Sequence, residues 1–357
     1  MKYKHILITG GAGFVGSNTA IKLKEKYPKS NIIVMDNLKR RGSELNIPRL
    51  KDVGIPFVHG DIRNVEDFEG IGTIDLIIEC SAEPSVLAGL ETSPTYLINT
   101  NLSGTINCLE VARKNTSAFI FISTSRVYPI EQINNLKYTE GKTRYAISNN
   151  QKMPGASQAG ITEDFPLTGA RSLYGTTKLA SELMLQEYIY NFGIKGIINR
   201  CGVITGPWQM GKVDQGVFVL WMARHIFGGK LAYIGYGGEG KQVRDLIHIN
   251  DFFEMIDIEI NDLDRLSGAT FNIGGGTSNS LSLQELTVIC ENITGKKIEI
   301  SSILNDRPSD VRSLIIDSTK FTKLTGWKPN MNTTETMIDI ATWINKHSNA
   351  LRPVLAL

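Results

Sequence analysis

Short apolar runs rich in β-branched residues punctuate the first half of the chain: His5-Ile6-Leu7-Ile8-Thr9, Asn31-Ile32-Ile33-Val34-Met35, Phe57-Val58-His59, Leu76-Ile77-Ile78 and Phe119-Ile120-Phe121-Ile122. Each is followed by a stretch with helical spacing. That alternation predicts βαβ units around a parallel sheet buried on both faces. A further strand is predicted at Gly196-Ile197-Ile198-Asn199-Arg200. Beyond about Arg200 the rhythm changes to Gly-rich loops, mixed strands and helices such as Ser282 to Thr294 and Thr334 to Lys346, which predicts a second, smaller α/β lobe. Residues 1–200 with about 243–265 are expected to form the larger domain, about 201–242 with 266–330 the smaller one, and 331–357 a C-terminal helix and tail. In this division Val243 to Phe253, with the run Leu246-Ile247-His248-Ile249, is read as a strand returning to the main sheet.

The 357 residues are 41% hydrophobic and 21% charged, enough to bury a sizeable core, with no bilayer-length apolar run and no charged-then-apolar leader. A cytoplasmic protein that does not enter membranes is expected. Lys and Arg number 38 against 36 Asp and Glu, a net charge of +2, which gives no reason to expect a nucleic-acid partner. Any anionic ligand must then be met by local groups. Cys80, Cys108, Cys201 and Cys290 are far apart and form no CxxC, so buried reduced thiols are expected. The histidines show no ligand spacing either, and no protein-bound metal is predicted.

Directly after the first strand comes Gly10-Gly11-Ala12-Gly13-Phe14-Val15-Gly16, followed by an amphipathic stretch through Lys26. Glycines allow a tight turn and let backbone N–H groups approach a pyrophosphate at the positive end of the following helix. Asp36, at the end of the second strand, falls about twenty residues later, where a carboxylate meets the ribose hydroxyls of a dinucleotide. That carboxylate would repel the extra phosphate of NADP, so NAD is the expected cofactor, although Arg40 and Arg41 follow closely. Asp61, after the third strand, is placed either to meet the adenine side or to cap a helix. Together these features predict a Rossmann-type doubly wound parallel sheet with a smaller α/β substrate lobe.

Tyr174-Gly175-Thr176-Thr177-Lys178 opens a helical stretch, and its spacing of four puts the phenol and the ammonium on one face. A nearby cation and a helix N-terminus favour the phenolate, making Tyr174 a candidate acid/base for a sugar hydroxyl. Ser123-Thr124-Ser125 ends a central strand, where Thr124 can share a hydrogen bond with the same hydroxyl. The alternative is that these hydroxyls only cap strand and helix ends.

Gly10-x-x-Gly13-x-x-Gly16, Asp36, Asp61, Asn101-Leu102-Ser103-Gly104-Thr105, Ser123-Thr124-Ser125-Arg126-Val127-Tyr128 and Tyr174-x-x-x-Lys178 together resemble an extended short-chain dehydrogenase/reductase of the NAD-dependent epimerase/dehydratase family. The likeness runs to about Trp327. It implies that Thr124, Tyr174 and Lys178 are catalytic. It also implies that Phe14, Val15, Asn37, Ile62, Ser81, Ala82 and Asn101 join the glycines, Asp36 and Asp61 around NAD.

The dehydratases of that family carry an Asp-Glu pair after the threonine, because eliminating water needs an extra acid and base, and the decarboxylases keep a glutamate at the position of Arg126. Ser125-Arg126 stands here, leaving epimerisation or a simple NAD(P)-dependent dehydrogenase or reductase. A non-catalytic dinucleotide-binding regulator is the reading from a different class. Arg244 in Lys241-Gln242-Val243-Arg244-Asp245 and Arg307 in Arg307-Pro308-Ser309-Asp310 resemble the arginines that grip a nucleotide-sugar diphosphate. Glu83, Arg126 and Gln215 complete the expected substrate set. The stretches Tyr138 to Tyr145, Asp214-Gln215-Gly216, Asn272 to Gly275 and Asn279 to Leu283 are similar to the subfamily of CDP-paratose (CDP-tyvelose) 2-epimerases. That likeness implies a CDP-sugar inverted at C2, with inversion at C4 as the alternative. Glu79-Cys80-Ser81-Ala82-Glu83 replaces the usual His-x-Ala of the family, and Pro129 replaces a glycine. A homo-oligomer, dimer or tetramer, through helices spanning Leu90 to Arg113 and Ser172 to Phe192 is the family expectation.

Overall fold

A computed structural model describes residues 2–211 and 215–356. The chain forms two compact units, each assembled from three stretches: Met1–Thr124, Leu173–Arg200 and Phe253–Phe271 in the first, Ser125–Ser172, Cys201–Phe252 and Asn272–Leu357 in the second. No helix among the described residues is long and apolar enough to cross a membrane.

The apolar runs become strands β1 (His5–Thr9), β2 (Asn31–Asp36), β3 (Phe57–His59), β4 (Leu76–Glu79) and β5 (Ala118–Thr124). With Gly196–Cys201 and Thr270–Ile273 they make a seven-stranded sheet in which β5, β4, β1, β2 and β3 lie side by side and the other two extend it beyond β5. The pairs β1–β2, β1–β4, β2–β3 and β4–β5 are parallel. This is the doubly wound Rossmann arrangement, with its order reversing between β1 and β4. Helix α1 (Phe14–Lys26) and the helices Gly104–Asn115 and Leu173–Phe192 belong to the same unit. Leu7, Ile77, Phe119 and Phe121 are fully buried in one core with Cys108, Leu109 and Leu185 from the last two helices. Each such side chain contributes about 1.5–3 kcal/mol by leaving water.

Strand register brings three distant residues into line: Thr9 pairs with Glu79, and Glu79 with Phe121. Aligned residues of paired strands share a face, so these three form one row across the sheet.

In the second unit, Val243–His248 is a strand, as its apolar run predicts, but it does not return to the main sheet. It pairs with Val203–Thr205, Ser280–Ser282 and Ser313–Leu314, and Thr270–Ile273 takes the place in the main sheet instead. The short apolar stretch Leu246-Ile247 within Val243–His248 is equally suited to either sheet, so its composition could not decide between them. The helices expected near Ser282 and Thr334 start at Leu283 and Thr333, each behind a capping box, Ser282 with Glu285 and Asn332 with Glu335.

Candidate active site

The glycine loop is shaped by close approach. Gly10 has φ +64°, and a Cβ there would lie 2.8 Å from the backbone of Cys80 and Ser81. A Cβ on Gly16 would lie 2.4 Å from the Gly10 carbonyl oxygen. Gly13 caps α1 without a side-chain acceptor, so the first-turn amides of Phe14, Val15 and Gly16 have no cap and suit an anion. Asp36 ends β2 with its carboxylate turned toward this loop, accepting from the amides of Ala12 (3.2 Å) and Leu38 (2.8 Å). Burial raises its pKa, and the Leu38, Ala12 and Gly13 amides pull it back.

Asn37 and Asp61 are brought together, the Asn37 amide donating to Asp61 at 2.9 Å. Arg63 clamps the same carboxylate through Nε (2.9 Å) and Nη2 (2.6 Å). Burial works to raise the Asp61 carboxyl, but Arg63 and Asn37 overcome it and hold the pKa at about 2. Asp61 is therefore not a helix cap, since the next short helix is preceded by Asn64. Ile62 is buried beside it.

Asn101 sits in a π-helical turn, Asn99–Ser103, inserted ahead of helix Gly104–Asn115. Its side chain exchanges hydrogen bonds with the Glu83 backbone (2.8 and 3.0 Å) and donates to Thr177 Oγ1 at 3.2 Å. Asn101 thus ties the Ser81-Ala82-Glu83 loop to the first turns of the Tyr174 helix. Glu83 itself accepts from the Ser85 amide at 3.3 Å.

Tyr174 lies in the first turn of helix Leu173–Phe192 and Lys178 one turn on. Lys178 is 1% exposed, with Nζ 3.9 Å from the centre of the Phe121 ring and 3.7 Å from Glu79 Oε2. The ammonium is thereby held over the C-terminal ends of β4 and β5, the edge at which Thr124 closes β5. Neighbouring Ser123 is used differently: its hydroxyl donates to the buried carboxylate of Glu182, which pairs with Arg200 at 2.7 Å. Glu79 is fully buried and was not among the expected site residues, although an acid ending the apolar run Leu76-Ile77-Ile78 was a visible signal. Burial pushes its pKa up to about 7 against the pull of Lys178.

The expected arginines gather within the second unit. Arg244 pairs with Asp310 at 2.6 Å, and Arg126 Nη1 donates to the Ser309 carbonyl at 3.3 Å, so both converge on the loop that starts at Arg307. Tyr236 and Arg312 join them unforeseen: Tyr236 Oη donates to the Asp310 carbonyl at 3.0 Å, and the Arg312 guanidinium stands 5.3 Å from the Tyr236 ring centre. Their signals were weak, since isolated aromatic and basic residues in loops have no periodicity. Gln215 lies half-buried just before helix Val217–Phe227, while Asp214 falls outside the described residues.

The sequence profile of the NAD dependent epimerase/dehydratase family matches residues 6–274. The chain belongs to that family. CDP-paratose 2-epimerase of Salmonella typhi is 32% identical over 349 residues, covering 95% of this chain and 98% of the relative. Among solved structures, dTDP-glucose 4,6-dehydratase of Bacillus anthracis in complex with NAD superposes with a TM-score of 0.77 at 25% identity, over 98% of this chain and 99% of that one. UDP-glucose 4-epimerase of Thermotoga maritima with UDP-glucose does so with a TM-score of 0.77 at 26% identity, over 96% and 99%. The cofactor is NAD. The uncapped start of α1, the glycine loop and Asp36 fit it, because all three lie at strand ends beside the reversal between β1 and β4.

Proposed function

We propose that this enzyme is a nucleotide-sugar epimerase that oxidises and re-reduces one carbon, C2 of a CDP-sugar. The observation that carries the reading is the seating of Lys178 over the ends of β4 and β5, one helical turn from Tyr174, with Ser125 and Arg126 rather than an acid pair after Thr124. In this reading Tyr174 takes the proton of the reacting hydroxyl and later returns it, Thr124 orients that hydroxyl, and Lys178 favours the phenolate. NAD, held by the glycine loop, Asp36 and Lys178, supplies the acceptor and donor of the hydrogen on carbon. Arg126 cannot serve as the acid or base of an elimination. It accompanies Arg244 and Arg307, whose guanidinium groups suit a diphosphate, and Glu83 and Gln215 complete the substrate contacts.

The 32% likeness to a CDP-paratose 2-epimerase supports C2, and the likeness to a UDP-glucose 4-epimerase favours C4 as the second reading. A substrate deuterated at C2 tests both. In ordinary water, inversion at C2 with the label kept is expected, and unlabelled substrate turned over in deuterated water should take up no deuterium at the inverted carbon. Solvent deuterium at the inverted carbon overturns the oxidation cycle, whereas inversion at C4 overturns the substrate assignment. A second copy of the chain is proposed to cover the exposed apolar side chains of helix Leu173–Phe192.

A further inference from the structure

We infer that Glu79 is a positioning residue, the buried counter-ion that seats Lys178 over Phe121 and moderates how strongly the lysine favours the Tyr174 phenolate. The inference rests on the acid/base reading of Tyr174.

Glu79 ends β4 in the row that also holds Thr9 and Phe121. It is wholly buried, and neither carboxylate oxygen has a hydrogen-bond partner at ordinary distance. An anion so placed needs compensation, and Lys178, 3.7 Å away and itself 1% exposed, provides it. The lysine is in turn fixed from two sides, by the carboxylate and by the negative face of the Phe121 ring at 3.9 Å. The other titratable groups facing Glu79 are thiols: Cys80, next in the chain, and Cys108, on helix Gly104–Asn115. Burial first, and then the Glu79 charge, pushes both well above the usual thiol range, so they stay neutral. Glu79 and Lys178 are therefore the charged members of this chamber.

Elementary electrostatics links the pair to Tyr174 in two ways. A carboxylate beside the ammonium cancels part of the positive potential that reaches the phenol, so the phenolate forms at higher pH than beside a lone lysine. Since burial brings the Glu79 pKa to about 7, the carboxylate charge felt by Lys178, and through it by the phenol, changes as pH crosses that value.

The test follows the phenolate absorbance of Tyr174, isolated by subtracting the Tyr174→Phe protein, as pH is raised with and without NAD. Glu79→Gln is expected to lower the midpoint by roughly one pH unit. Glu79→Asp keeps the charge and should leave the midpoint near that of the wild type. An unmoved midpoint in Glu79→Gln, or equal shifts in both variants, would overturn the proposal. Should Glu79→Gln fail to fold, infrared spectra of Lys178→Met across pH decide: the un-ionised Glu79 carboxyl band is expected to persist to clearly higher pH than in the wild type, and an unshifted band midpoint would overturn the pairing. Neither measurement uses a sugar, so a wrong substrate assignment leaves both outcomes intact.

Discussion

A phenol with an ordinary pKa of ~10 is almost wholly protonated at neutral pH, so Tyr174 can act as a base only where its surroundings favour the anion. The spacing to Lys178 was legible in the sequence because a helix places residues four apart on one face. What the lysine touches was not, since Glu79 and Phe121 come from strands far away in the chain. Three consecutive hydroxyls, Ser123, Thr124 and Ser125, likewise looked alike until Ser123 was seen to be occupied by Glu182. Tyr174→Phe is expected to lower kcat by about 10²–10⁴ while NAD affinity and the thermal midpoint stay near wild type. Turnover and NAD titration check this, and wild-type rates across neutral pH would remove the assigned role.

Elements packed against one another create proton-binding sites that no single element reveals. Helix Ile249–Asn261 buries Glu259, whose carboxylate accepts from Asn199 Nδ2 of strand Gly196–Cys201 at 2.8 Å. Burial pushes its pKa to about 8, with Asn199 pulling it down, from an ordinary 4.5. The folded state then holds a proton that the unfolded chain releases, so this contribution to stability is complete below about 4.5 and is lost as pH rises toward about 8. Glu79 and Asp245, each raised to about 7, act in the same direction. The thermal midpoint should fall by a few degrees, roughly, between mildly acidic and mildly alkaline buffer. Glu259→Gln should reduce that slope, and scanning calorimetry at several pH values measures it. A slope unchanged by the substitution would return Glu259 to the background.

At the scale of the whole molecule, the first unit leaves Leu183 55% and Tyr190 87% exposed, seven residues apart on one helix face, with Phe192 also exposed nearby in sequence. Water contact on that apolar area is unfavourable, and a self-complementary helix face is a common way to remove it. Sedimentation at micromolar concentration is expected to show a dimer. The double substitution Leu183→Glu and Tyr190→Glu should weaken it about tenfold or more without changing helix content. A wild-type monomer over that range would end the proposal.

Local rules sufficed for much of the fold. The apolar runs located β1 to β5, the glycine spacing located the turn before α1, and Asp36 followed from the reach of a dinucleotide across a βαβ unit. These are short-range features, fixed by backbone sterics and by burial on both faces of a strand. Tertiary structure decided matters that depend on pairing between distant segments. It sent Val243–His248 to a sheet with Ser280–Ser282 while Thr270–Ile273 joined the main one. It gathered Arg126, Arg244 and Tyr236 at the loop that begins at Arg307. It also buried Glu79 beside Lys178. Composition cannot specify a partner across more than a hundred intervening residues; strand register and helix packing do so, because each fixes which side chains share a face and which are withdrawn from water.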